Sequence, residues 1–161
     1  ISSTKQTDIC IDNYKVAFVF ANTIITTRLL DDSFPDTTRL IPSEFSQILK
    51  VNSREILNAI DRSSFIKSEG KNIIKMNINS DKIEMTSSNQ IGSSYETISL
   101  LNYEGQPLEI SCSGKYLQDA IKAIGGDEIT IKFSGELKPM VVQNDKDDNL
   151  IQLISPVRTY H

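Results

Sequence analysis

The chain has 161 residues, 39% of them hydrophobic and 24% charged, with a net charge of −4. That is enough apolar material for one globular domain, or one domain with a piece of another. No apolar run reaches the roughly 18 residues a membrane span requires, no signal-peptide pattern opens the chain, and the acidic balance excludes nucleic-acid binding by overall charge alone, though not by a local basic face.

The pattern is mostly short strands. Residues 7–12 and 15–20 flank Asn13-Tyr14 as a hairpin, and residues 21–30 continue as an Ile- and Thr-rich strand. A connector follows to about Phe45. It contains the two prolines and the paired basic and apolar residues of Phe34-Pro35-Asp36 and Arg39-Leu40-Ile41-Pro42. Residues 47–51 read as a strand, and Asn52 then begins a helix. Its amide oxygen is placed to accept from first-turn N–H groups, and Glu55 three positions on completes a capping-box-like pattern. Ile56, Leu57 and Ile60 form that helix's apolar stripe. Strands are predicted at residues 72–79, 82–88 and about 94–101, where Ile74, Met76 and Ile78, then Ile83 and Met85, alternate with polar residues.

After a turn at residues 102–106 containing Gly105, the pattern restarts. Residues 107–112 form a strand, and Ser113 caps a second helix with the stripe Leu117, Ala120, Ile121 and Ile124, stopped by Gly125-Gly126. Strands are predicted at 128–134, 137–143 and 150–155, with the polar run 144–149 as the last hairpin turn. Each half thus reads strand, helix, three strands. The fold class is α+β, an internal pseudo-twofold β-α-β-β-β repeat with two adjacent helices.

Chemical motifs are few. His161, the single histidine, is the last residue, so a Ser-His or Cys-His hydrolase lacks its base. Asp145, Asp147 and Asp148 lack the spacing and terminal Glu of a calcium loop and read as a solvated turn. Gly125-Gly126 follows a helix instead of opening one, so it is not a phosphate cradle. Cys10 and Cys112 match no metal spacing. Free thiols in a reducing cytosol are expected of them, with a disulfide as the alternative. No catalytic residue, metal or cofactor is expected. The first residue is Ile1, as expected of an excised fragment or an unobserved N-terminus. The tail Leu153-Ile154-Ser155-Pro156-Val157-Arg158-Thr159-Tyr160 repeats the Pro, apolar, Arg grammar of the connector, and the two segments point to a docking surface.

Taken in order, these residues resemble a family. Arg28-Leu29-Leu30-Asp31, Phe34-Pro35-Asp36, Arg39-Leu40-Ile41-Pro42, Ala59-Ile60-Asp61-Arg62-Ser63-Ser64, Tyr116-Leu117-Gln118-Asp119-Ala120, Ile151-Gln152-Leu153-Ile154 and the tail together resemble the bacterial DNA polymerase III beta subunit, the sliding clamp. The resemblance implies a DNA-clamp fold, two antiparallel sheets with two adjacent helices, and three segments: the partial end of a middle domain (1–35), an interdomain connector (36–46) and a C-terminal domain (47–161). It implies a cytoplasmic, non-enzymatic processivity factor whose full-length homodimer ring encircles duplex DNA without sequence preference. Without the rest of the chain, this fragment is not expected to close a ring.

Other partners implied are the DNA polymerase III alpha subunit, the clamp loader, and repair polymerases and other proteins carrying a short peptide motif. The peptide-binding positions carried over are Pro35, Arg39, Leu40, Lys71, Ser113, Tyr116, Leu137, Pro139, Leu153, Ser155, Pro156, Val157 and Arg158. Two of them depart from relatives: Ser155 replaces a larger apolar residue, and Lys71 an aromatic. DNA-facing positions are Arg54, Asn58, Arg62, Lys115 and Lys122, which by themselves also read as a solvated helix face. Phe65 and Ile66 read either as a ring interface against the next subunit or as residues closing the first helix onto the core. The alternatives from other classes are a generic interaction module unrelated to replication, and a hydrolase on an α+β scaffold. The hydrolase requires a nucleophile with a base, or a metal cluster, which the sequence lacks.

Overall fold

The protein is described by a computed structural model covering residues 6–31, 33, 36–67 and 70–158. It divides into two compact units, residues 1–36 and 37–161.

The first unit is a meander of β1 (Asp8–Ile11), β2 (Lys15–Phe20) and β3 (Thr23–Arg28). Asp12 folds the first turn locally: its Oδ1 accepts from the N–H groups of Tyr14 and Lys15, each at 2.7 Å. These bonds stabilise the ionised form and hold the Asp12 carboxyl below its ordinary pKa. The strand expected over residues 21–30 starts later. Phe20 pairs with Thr23, leaving Ala21-Asn22 as a two-residue turn with Ala21 at φ 49°. No described residue of these strands is fully buried.

The second unit comprises a short 3₁₀ turn (Thr37–Arg39), β4 (Gln47–Asn52), α1 (Ser53–Ser63), β5 (Ile73–Ile78), β6 (Lys82–Ser88), β7 (Ser93–Glu104), β8 (Leu108–Ser113), α2 (Gly114–Ile124), β9 (Glu128–Phe133), β10 (Met140–Asn144) and β11 (Asp147–Ile154). The spatial order is β11-β10-β9-β4-β7-β6-β5-β8, all antiparallel. The repeat is therefore interlocked: each half's first strand pairs with the other half's second, β4 with β9 and β8 with β5. The two expected sheets are joined through β7. Its first part pairs with β6 and its last part with β4, across a register shift at Lys50/Val51. That length also corrects the expected turn over 102–106, because the strand continues to Glu104.

The pseudo-twofold extends to single bonds. Asn52 caps α1, its Oδ1 accepting from the N–H groups of Arg54 (3.0 Å) and Glu55 (3.1 Å), while Ser113 Oγ accepts from Tyr116 N–H at the start of α2. The first helical N–H then crosses to the other half: Ser53 donates to Asp127 O (2.8 Å) and Gly114 to Asn72 O (2.9 Å). Gly125, at φ 67°, ends α2, and its N–H donates to Ile121 O at 3.0 Å. Each helix packs on the first, third and fourth strands of its own half, and the two helices pack on each other. Their stripes (Ile56, Ala59, Ile60; Leu117, Ala120, Ile121) are buried with the inward residues of the strands, Phe133 and Leu49 among them.

Two strand ends differ from expectation. The strand expected over 137–143 begins at Met140, so Leu137 and Pro139 lie in the preceding connection. Proline lacks the N–H a ladder requires, and it belongs at or before a strand's first residue. The polar run 144–149 is mostly strand, with the turn confined to Asp145-Lys146. The exposed hairpin end is polar because its side chains fold it locally: Asn144 Oδ1 accepts from Lys146 N–H and Asp147 Oδ1 from Asn149 N–H, both at 3.0 Å.

Candidate functional site

The second unit carries a groove of about 1170 Å³. One wall is the end of β11 and the tail that follows it, Gln152 to Val157. The second is α2 from Ser113 to Ala123. The third is the connection after α1, with Ser64, Lys67, Gly70 and Lys71. Local bonds hold these segments in place. Val157 N–H donates to Ser111 O at 2.8 Å, drawing the tail alongside β8. Asn72 Nδ2 donates to Ser63 O and Ile66 O, both at 2.9 Å, which ties down the end of α1 and the chain beyond it. Gly114 lets α2 start against that Asn72, since a Cβ there would collide with the Asn72 amide oxygen.

Of the expected peptide-binding residues, Lys71, Ser113, Tyr116, Leu153, Ser155, Pro156 and Val157 line this groove together. Tyr116 is 65% exposed and offers an aromatic face, while Leu153, Pro156 and Val157 are half-buried and fixed. Arg39, Leu40, Leu137, Pro139 and Arg158 are not among its lining residues. Leu40 follows the 3₁₀ turn and is 53% exposed, Leu137 is exposed in the β9–β10 connection, and Arg158 is exposed beyond Val157. Pro35 and His161 lie outside the described residues.

The helix-borne polar residues separate into four settings. Arg54 and Asn58 border a smaller cleft of about 420 Å³ at the start of α1, with Asp127 on its other side. Lys122 is exposed in the last turn of α2. Lys115 lines the large groove. Arg62 is engaged: its Nε donates to both carboxylate oxygens of Glu96 on β7 at 3.0 Å, and Nη2 also reaches Oε2. The pairing raises the Arg62 pKa and lowers that of Glu96, each charge favouring the other. The pair following α1 is divided. Ile66 is buried in the chain's own core at 5% exposure, closing the helix end, whereas Phe65 is 71% exposed.

The sequence reading missed Asn72, Gln118, Asp119 and Lys67 as residues of the groove. A signal was available for Asn72. It stands immediately before β5, as Asp127 stands before β9, and each carbonyl receives the other half's helix start.

Among the described residues, no group of three His, Cys, Asp or Glu side chains is placed to hold a metal ion. Asp145 is occupied structurally. It accepts from Thr130 Oγ1 (2.7 Å) and pairs with Lys50 (3.1 Å), and both interactions lower its pKa. Cys112 is buried, and burial pushes its thiol up to about 12, so it is unreactive; Cys10 is exposed and free. No helix among the described residues is long and apolar enough to cross a membrane.

Residues 38–158 match the family described as DNA polymerase III beta subunit, C-terminal domain. The chain is 40% identical over 156 residues to the beta sliding clamp of Bacillus subtilis and 39% identical over 155 residues to that of Staphylococcus aureus, covering 95% of this chain and 41% of each relative. The Bacillus subtilis clamp crystal structure superimposes with a TM-score of 0.83 at 41% identity, covering 96% of this chain and 41% of that one. A Bartonella birtlesii sliding clamp bound to griselimycin superimposes with a TM-score of 0.86 at 26% identity, covering 95% of this chain and 41% of that one.

Proposed function

The chain belongs to the DNA polymerase III beta subunit family, and from that premise we propose that it contributes the C-terminal domain of a DNA sliding clamp. In the full-length protein, of which this chain corresponds to well under half the relatives' length, a ring of paired subunits encircles duplex DNA. Topology then retains the polymerase, and the domain performs no catalysis. The helix pair turns a mildly polar face to the duplex. Arg54, Asn58 and Lys122 supply phosphate contacts weak enough to permit sliding, since tight contacts would hold the ring in place. Phe65 contributes an exposed apolar contact to ring closure, and the chain works in the cytoplasm.

The groove beside α2 serves as the docking site for short peptide tails of the polymerase alpha subunit, the clamp loader and repair proteins. One observation carries this reading. The chain's last described residues are fixed by a bond to β8 into the wall of a groove large enough for several side chains. Tyr116, Leu153, Pro156 and Val157 offer burial for a leucine or phenylalanine, each stabilised by about 1.5–3 kcal/mol when fully buried.

The test is fluorescence anisotropy with a labelled peptide of the Gln-x-x-Leu-Phe type. Saturable, weak binding is expected, with at least a tenfold loss on Leu153→Ala and a comparable loss when the peptide's Leu and Phe become Ala. Binding that survives both changes would remove the groove from the function.

A further inference from the structure

We propose that the groove selects peptides with acidic residues flanking their apolar anchor, and that Lys67, Lys71 and Lys115 form the basic rim that selects them. The inference rests on the peptide-docking reading above and adds the chemistry of the partner.

The observation is an imbalance of charge in one cavity. Three ammonium groups border the groove against one carboxylate, Asp119. All three lysines are exposed, and among the described residues none pairs with a carboxylate, whereas Lys50, Arg62, Lys75 and Lys82 each do. The rim has a fixed relation to the apolar wall. Gly114 N–H donates to Asn72 O, which holds Lys71 and Lys115 on two segments meeting at the start of α2. The tail bearing Leu153 and Val157 is tied to β8, the strand that leads directly into the same helix. A peptide anchored by apolar side chains on the tail therefore brings its flanking residues to the lysines. Cations at a groove rim act chiefly through encounter rate and choice of partner, and their effect falls with salt.

Three fluorescein-labelled peptides with one Gln-Ala-Ala-Leu-Phe core, flanked by two glutamates, two serines or two lysines, separate the possibilities. At low salt the glutamate-flanked peptide is expected to bind roughly three- to tenfold tighter than the serine-flanked one, and the lysine-flanked one correspondingly weaker. Lys71→Glu with Lys115→Glu should reverse that order, and about 0.5 M salt should compress it. Both residues are exposed, so an unchanged thermal transition certifies the fold of the variant. Equal binding of all three peptides, or an order the variant does not alter, overturns the basic-rim proposal and leaves the groove itself standing. Failure of even the serine-flanked peptide to bind refutes the docking reading beneath it.

Discussion

Asn72 and Gly114 show how much of this fold rests on two side chains, one of them a hydrogen atom. The Asn72 amide nitrogen donates to two carbonyls, Ser63 O in the last turn of α1, which also accepts the Ile66 N–H, and Ile66 O just beyond the helix. Its backbone carbonyl receives Gly114 at the start of α2. Replacing Asn72 with Ala should destabilise the second unit by about 1–3 kcal/mol, because the part-buried Ile66 carbonyl loses its side-chain donor and Ser63 O is left with the Ile66 N–H alone. Gly114→Ala should cost about as much through overpacking, since its methyl meets the Asn72 amide. Urea titration of the three proteins checks both figures. The double variant should be less damaging than the sum, because the small Ala at position 72 removes the clash. Sequence pattern marks Ser113 as the cap but says nothing of the glycine after it, because a forbidden Cβ is defined only by the atom it would strike.

At the scale of elements, the α1–β7 joint is held by an ion pair and the β4–β9–β10 surface by Lys50 with Glu128 and Asp145. Both sets predict how the fold responds to acid. The Glu96 carboxyl is lowered from its ordinary pKa by Arg62, and Asp145 by Thr130 and then Lys50. A carboxyl depressed in the folded state binds fewer protons there than in the unfolded chain, so its contribution is complete above the ordinary carboxylate range, near about pH 4. It disappears as pH falls through the lowered folded value. Melting temperature measured from about pH 7 down to about pH 2.5 should therefore drop steeply on the acid side. Glu96→Gln should flatten part of that drop, leaving the share that Asp145 supplies. An unchanged acid limb in Glu96→Gln would show that the Arg62 pairing contributes nothing to stability. The helices themselves were legible from sequence, since the caps at Asn52 and Ser113 and the 3.6-residue stripes are local. The fate of Arg62 was not, because its partner is 34 positions away on another element.

For the whole molecule, the interlocked repeat places β4 and β9 in the interior of the long sheet, paired on both sides, with buried residues on both strands and the helix pair over the same core. The first unit has no fully buried described residue, and Ile9, Ile11, Ile24 and Ile25 are each at least half exposed. Native-state hydrogen exchange should reflect that contrast. Amides of β4 and β9 should open only with global unfolding, while those of β1 to β3 should exchange orders of magnitude faster. Protection of β1–β3 equal to that of β4 would show that the first unit is as stable as the second. The family match begins at residue 38, just inside the second unit.

The amino-acid sequence by itself determined which segments are helices and strands, which faces they bury, and that the pattern occurs twice, because alternation, stripes and caps are read within a few residues. Only the tertiary structure decided that each half lends its first strand to the other, that Ile66 turns inward while Phe65 does not, and that three lysines from two segments share one cavity. Strand partners, burial and charge balance depend on atoms brought together from distant parts of the chain, and no local pattern contains those distances.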